Sequence, residues 1–239
     1  MTMIADKLQS VHARIAAACA AAGRDPRSVA LLAVSKTQGP QAVREAAAQG
    51  QSAFGENYIQ EAIEKILTLA DLHLQWHCIG PVQSNKTRLV AEHFSWVHTV
   101  DRLKIAQRLS EQRPAHLPPL QVCLQVNIDG SDSKAGVPPG EALALARQVA
   151  VLSRLELRGL MTIPQPSKDP ALQKAVHERT RRLFDQILLA QPPGLQRWDT
   201  LSMGMTDDLE AAIAAGSTLV RVGTAIFGAR PRLTRGETA

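Results

Sequence analysis

The chain has 239 residues, 45% hydrophobic and 21% charged, which excludes disordered, collagen-like and mucin-like classes. Lys and Arg total 27 against 22 Asp and Glu, a net charge of +5; the basic residues are scattered and only 3% of residues are aromatic, so neither a nucleic-acid groove nor a polybasic membrane patch is expected. No apolar run approaches the ~18 residues of a membrane helix, the N-terminus reads as no secretory signal, and Cys19, Cys78 and Cys123 lack metal-ligand spacing, so reduced thiols in a cytoplasm and no metal are expected.

The dominant signal is alternation. Short runs rich in Val, Leu and Ile are each followed by a longer, Ala-rich amphipathic stretch. Residues 3–22 read as a leading helix, ended by Gly23 and Asp25-Pro26. A strand at 29–35 precedes a helix at 39–49, closed by Gly50. A short strand near Ala53 and Phe54 precedes a helix at about 58–69. The pattern repeats as strand 74–79 and helix 84–92, then strand 96–100 and helix 103–111. A long strand at 120–127 leads through a Gly-rich loop, 129–136, to a helix at 140–152. A strand at 155–162, a Pro-rich loop and a helix ending near Ala190 follow. Strand 200–203, helix 207–215 and strand 219–222 complete the series, and the polar tail at 231–239 is expected to be mobile.

Eight strands, each but the last followed by a helix, imply a parallel sheet with crossover helices. In this length they match an α/β fold with a single (β/α)8 barrel of the TIM type over residues 1–230, preceded by an extra N-terminal helix. A doubly wound open sheet is the alternative. It wants a Gly-rich fingerprint after the first strand, which here ends in Ser35-Lys36.

The active site of such a barrel lies at the C-terminal ends of the strands. Lys36 follows an apolar run. Beside the core it loses hydration, its pKa falls, and the neutral amine can attack an aldehyde; a lysine that snorkels to solvent is the alternative. Phosphate in this fold binds at the loops after strands seven and eight. Ser202, Gly204, Gly223 and Thr224 offer hydroxyls and open backbone there, although the glycines could equally be plain turn residues. Asp207 and Glu210 stand at capping-box spacing at the helix after strand seven, and their charge sets a phosphate nearer Gly223 and Thr224. Arg221, between Val220 and Val222, must find an acceptor, either a carboxylate such as Glu56 or a ligand atom. Asn57 and His77 are weaker candidates, Lys86 and Lys134 read as solvated, and Cys78 reads as a small core residue.

Taken together, Ala33-Val34-Ser35-Lys36, Phe54-Gly55-Glu56-Asn57-Tyr58, His77-Cys78-Ile79-Gly80-Pro81-Val82-Gln83-Ser84-Asn85-Lys86, Ser133-Lys134-Ala135-Gly136, Gly159-Leu160-Met161, Leu201-Ser202-Met203-Gly204-Met205 and Val220-Arg221-Val222-Gly223-Thr224-Ala225-Ile226-Phe227-Gly228 resemble the pyridoxal phosphate homeostasis protein family. The motifs run in the family's order from about residue 28 to 228, with Cys78 and Val82 as minor departures. The resemblance implies the fold of the N-terminal barrel domain of alanine racemase and pyridoxal 5′-phosphate (PLP) as cofactor. It implies that Lys36 forms the Schiff base and that Ser202, Gly223 and Thr224 hold the phosphate, with Met203 and Gly204 near that turn. It further implies that Arg221 faces the pyridine nitrogen and that Asn57 and His77 line the ring pocket.

A cation opposite the ring nitrogen keeps the ring unprotonated and makes it a weaker electron sink. Racemisation also needs a proton carrier on each face. Lys36 serves one face. Alanine racemase takes the other from a tyrosine supplied across a dimer with a second domain, which this chain lacks, and the one tyrosine here is Tyr58. The expectation is a cytoplasmic, monomeric, non-enzymatic protein that binds PLP, takes part in its homeostasis and contacts PLP-dependent apo-enzymes transiently. The alternatives are an amino-acid racemase-like enzyme, and a phosphosugar enzyme with Lys36 as its Schiff-base lysine, against which the Arg221 motif counts.

Overall fold

The first strand, β1 (Ala30–Val34), sorts its side chains by the two-residue period of an extended chain. Leu31 and Ala33 join the main core, while Leu32 and Val34 join a separate apolar cluster with Ile79 and Leu219. A strand apolar on both faces belongs to a parallel sheet that is covered outside and filled inside. The computed structural model, which describes residues 3–131 and 134–228, has that architecture. Strands β1, β2 (Ala53–Glu56), β3 (Gln75–Cys78), β4 (Trp96–Val100), β5 (Leu120–Gln125), β6 (Leu155–Met161), β7 (Thr200–Ser202) and β8 (Leu219–Val222) pair in parallel in chain order, and β8 returns to β1. Among the described residues this is a closed eight-stranded barrel, as the alternation predicts; the tail at 231–239 lies outside them.

Helix α1 (Met3–Ala21) precedes the barrel. Each strand is then followed by a helix: α2 (Pro40–Ala47), α3 (Ile59–Thr68), α4 (Thr87–His93), α5 (Leu103–Gln112), α6 (Ala142–Ala150), α7 (Pro170–Leu189), α8 (Leu209–Ala214) and α9 (Thr224–Phe227). Proline at the first position of α2 and α7 sets the helical φ where no N–H is needed, and Asp169 caps α7 by accepting from the Ala171 N–H. Leu8, Val11, Ile15 and Cys19 give α1 a buried stripe at spacings of three and four. That stripe packs α1 against α8 and α9, and Arg14 pins it to Glu210 at 2.9 Å and to the Thr206 carbonyl at 3.0 Å. No helix of the described residues is long and apolar enough to cross a membrane.

Three local expectations need correction. The helices expected at 84–92 and 140–152 open as tighter 3-10 turns, Ser84–Lys86 and Pro139–Glu141, before α4 and α6 begin. Helix α9, one turn long, follows β8 where no element was expected. The capping box of Asp207 and Glu210 does not form: Asp208 precedes α8 and turns its carboxylate back to the Met205 N–H, while Glu210 is drawn off by Arg14.

One irregularity shapes the barrel. Val122 pairs with Leu157, but Cys123 pairs with Gly159, which leaves Arg158 as the extra residue of a bulge. Gly159 then sits at φ 158°, and a Cβ there would lie 1.8 Å from the Thr200 carbonyl oxygen on β7. Gly159→Ala should therefore abolish folding or cost more than about 4 kcal/mol in urea denaturation. Gly140→Ala, with open space around the added carbon, should stay within about 0.5 kcal/mol of the parent.

Candidate functional site

At the C-terminal ends of the strands lies a cavity of about 230 Å³, below the roughly 300 Å³ at which drug-sized pockets begin. Lys36, Asn57, Arg221, Gly223 and Thr224 all line it, joined by Met205 and Asp207. Five of the nine residues expected at the site thus meet on one wall. Gly223 lets the end of β8 lie against β1, because a Cβ there would come within 3.1 Å of the Val34 carbonyl oxygen. Gly80 does the same for Asn57: its missing side chain would occupy the Asn57 backbone, 2.2 Å from the carbonyl oxygen. Asn57 Oδ1 is buried and has no hydrogen-bond partner among the described residues. Helix α9 starts directly after Gly223, and the first N–H groups of a helix have no carbonyl of their own to bond.

Lys36 is half-buried and sits between two residues tied below it. Ser35 donates its hydroxyl to Glu56 Oε1 at 2.6 Å, and Lys65 Nζ donates to the Ser35 carbonyl at 2.7 Å and pairs with the same Glu56 oxygen at 2.7 Å. On the other side the Thr37 N–H donates to Glu61 Oε1 at 2.7 Å. Thr37 has φ 65°, a left-handed conformation that costs a β-branched residue about 1–3 kcal/mol unless its surroundings hold it. Burial pushes the Glu56 carboxyl above its ordinary range, against the pull of Lys65.

Arg221 is buried inside the barrel, and the suggested pairing with Glu56 does not occur. Its guanidinium donates to the Ser202 carbonyl at 2.6 Å, to Ser202 Oγ at 2.8 Å and to the Thr162 carbonyl at 2.8 Å. Burial lowers its pKa to about 10, so it stays a cation at neutral pH. The contacts continue inward: Ser202 Oγ lies 2.8 Å from His98 Nδ1, and His98 Nε2 lies 2.9 Å from His77 Nδ1. Burial keeps both rings neutral, His77 with a pKa lowered to about 3 and His98 well below its usual value. Arg221 can only donate, so Ser202 Oγ accepts from it, and the Ser202–His98 and His98–His77 bonds each carry one proton in a direction set by the histidine tautomers. His77 Nε2, at the end of the series, is buried with no partner among the described residues.

Four expected residues are placed elsewhere. Ser202 does not face the cavity, because its hydroxyl is committed to Arg221 and His98. His77 lies in the barrel interior rather than on a ring pocket, stacked on Trp96 at 5.2 Å between centroids. Met203 packs into the core, and Gly204 turns the chain at φ 94° against Ala212 of α8. Lys134, read as solvated, is tied to Asp129 and to the Ile163 carbonyl, each at 3.0 Å. The reading from sequence missed His98, Thr162 and Lys65. Lys65 left a signal, since Ile59, Ala62 and Leu69 put position 65 on the buried stripe of α3.

Larger cavities elsewhere lack this chemistry. One, about 470 Å³, opens at the N-terminal face, where Arg158 is paired with Asp199 and Arg197 with Glu156. Another, about 650 Å³, lies beside the rim site and is walled by Pro164, Pro166 and Pro170.

A closed barrel with a lysine at the end of β1 and glycine-rich turns at β8 defines the class: residues 7–231 match the family of the alanine racemase N-terminal domain. PipY of Synechococcus elongatus, solved with PLP bound, superposes with a TM-score of 0.82 at 38% identity, over 95% of this chain and all of that one. Two pyridoxal phosphate homeostasis proteins match almost end to end. That of Pseudomonas aeruginosa is 61% identical over 230 residues, 96% of this chain and 97% of its own. That of Escherichia coli strain K12 is 52% identical over 233 residues, 96% and 98%. The chain belongs to the pyridoxal phosphate homeostasis protein family.

The neutral histidines set an acid limit. Below the unfolded-state value of roughly 6.5, an unfolded chain takes up a proton that His77 refuses until about pH 3. Stability contributed by neutral His77 is therefore complete above pH ~6.5 and lost as pH falls towards 3, by up to about 1.4 kcal/mol per pH unit. Denaturant titrations from pH 7 to 4 should show a shallower decline for His77→Phe than for the parent, although the variant starts lower. Parallel declines would contradict the assignment.

Proposed function

We propose that this protein binds pyridoxal 5′-phosphate in the rim cavity, holds it through a Schiff base to Lys36, and takes part in its intracellular homeostasis without efficient catalysis. The observation that carries the reading is one wall shared by Lys36, Arg221, Gly223 and Thr224. The PLP-bound PipY structure and the names of the relatives support it. The residues fit such a group: the cavity suits one small molecule, two cations suit an anion, and Asn57 Oδ1 is a buried acceptor with no partner among the described residues.

When bound, the cofactor supplies an aldehyde that condenses reversibly with amines. Lys36 supplies the amine. Gly223 and Thr224 present open backbone and a hydroxyl at the start of α9, suited to phosphate oxygens. Arg221, which the resemblance sets towards the ring nitrogen, stays charged and disfavours a proton there. That weakens the electron sink needed for carbanion chemistry. Tyr58, the one tyrosine, is 55% exposed and does not line the cavity. The reading extends to one domain over residues 1–230, to a monomer in the cytoplasm, where three buried thiols stay reduced, and to release of cofactor to apo-enzymes by exchange with an incoming amine. The racemase-like reading needs a second proton carrier at the cavity, and Asp207 is the carboxylate on its wall.

Two measurements decide. Purified protein mixed with PLP should develop an absorption band that Lys36→Ala abolishes; a parent protein without the band would sink the assignment. Holo protein incubated with amino acids in heavy water should exchange α-hydrogen no faster than free cofactor does. Faster exchange, lost in Asp207→Asn, would establish the racemase-like enzyme instead.

A further inference from the structure

Lys65 belongs to a helix on the outside of the barrel, yet its ammonium is buried. An apolar residue would complete the α3 stripe with no charge to desolvate, and buried ion pairs are often no more stable than apolar packing. The long stem instead carries Nζ to the end of β1, where it meets three oxygens at 2.7 Å: the Ser35 carbonyl, Glu56 Oε1 and Glu61 Oε1. Each of these oxygens also holds the β1–α2 turn. The Ser35 carbonyl accepts from the Gln38 N–H at 3.0 Å, Glu56 Oε1 accepts from the Ser35 hydroxyl at 2.6 Å, and Glu61 Oε1 accepts from the Thr37 N–H at 2.7 Å. Residues 35, 37 and 38 are thus anchored around one buried cation, and the residue between the anchors is Lys36. The left-handed φ of Thr37, which a β-branched residue abandons unless held, shows that the turn is under restraint at the position after Lys36.

We propose that Lys65 is a positioning residue for Lys36: it locks the turn in the shape that presents the Lys36 amine to the cavity. The inference rests on the reading that Lys36 bonds the cofactor. In that reaction the neutral Lys36 nitrogen bonds the aldehyde carbon, the two amine protons leave with the aldehyde oxygen as water, and attack by water or another amine reverses it. Lys65 takes no part in the bond. It fixes where the stem of Lys36 begins, and a misplacement of about 1 Å can slow a reaction a hundredfold.

The test separates covalent linkage from binding. Pyridoxal 5′-phosphate reports both. 4′-Deoxypyridoxine 5′-phosphate, with a methyl group in place of the aldehyde, reports only ring and phosphate binding. Two variants are compared with the parent: Lys65→Met/Glu56→Gln, which removes both buried charges together, and Glu61→Ala, which frees the Thr37 N–H and alters a partly exposed side chain. In both, the Lys36-dependent absorption band should form at least tenfold more slowly, while calorimetric affinity for the deoxy analogue stays within twofold. If the double variant does not fold, Glu61→Ala decides alone. Equal losses for the two ligands, or an undiminished rate of band formation, would overturn the inference and leave Lys65 as a structural ion pair. A parent protein that forms no such band would overturn the functional reading itself, and this inference with it.

Discussion

A charge enclosed in a barrel has to be matched by the barrel itself. Arg221 is buried on β8, and removing a guanidinium from water costs several kcal/mol unless its donors are satisfied. The acceptors it finds are the Thr162 carbonyl just beyond β6 and the Ser202 carbonyl and hydroxyl on β7. Three neighbouring strand ends are therefore gathered around one cation, and their positions set one side of the rim cavity. The Ser202 hydroxyl bonds His98 behind it, and His98 bonds His77. His77 rests on Trp96, and Arg158 lies over the same indole while bonding Asp199. A continuous set of polar contacts thus runs from the rim cavity down towards the opposite mouth.

A second buried cation lies beneath Lys36 and follows the same rule. Lys65 and Glu56 are buried at the junction of β1, β2 and α3, and their contacts end on the backbone that carries Lys36. Two rigid groups of buried charge thus support the cavity, one below Lys36 and one around Arg221. Each group is desolvated and hydrogen-bonded, so neither moves cheaply. A site of that kind suits holding a small reactive molecule in one orientation.

Much of this was legible in the residues. Strand-then-helix alternation follows from burial on both faces of a parallel sheet, so it marked the barrel and all eight strands to within a few residues. Lys36, Asn57, Arg221, Gly223 and Thr224 were legible as a site because strand ends in this fold converge on one rim. Ser202 and His77 lie in the layer beneath the cavity lining, and position near a strand end does not say which of the two layers a side chain enters. Arg221 was left open between a carboxylate and a ligand atom; the protein acceptors it meets are two carbonyls and a hydroxyl. Lys65 was passed over, although its place on the apolar stripe of α3 marks a lysine whose stem turns inward.

The class of fold, the order of its elements, the rim on which the chemistry collects and the family to which the motifs point can all be read along the chain. Those properties rest on periodicity and on residue types at strand ends, which are local. Which buried charge meets which partner is settled by the assembled barrel. That choice depends on distances of about 3 Å between residues as far apart as Thr162 and Arg221 or Ser35 and Lys65, and on which groups the closed barrel leaves without water.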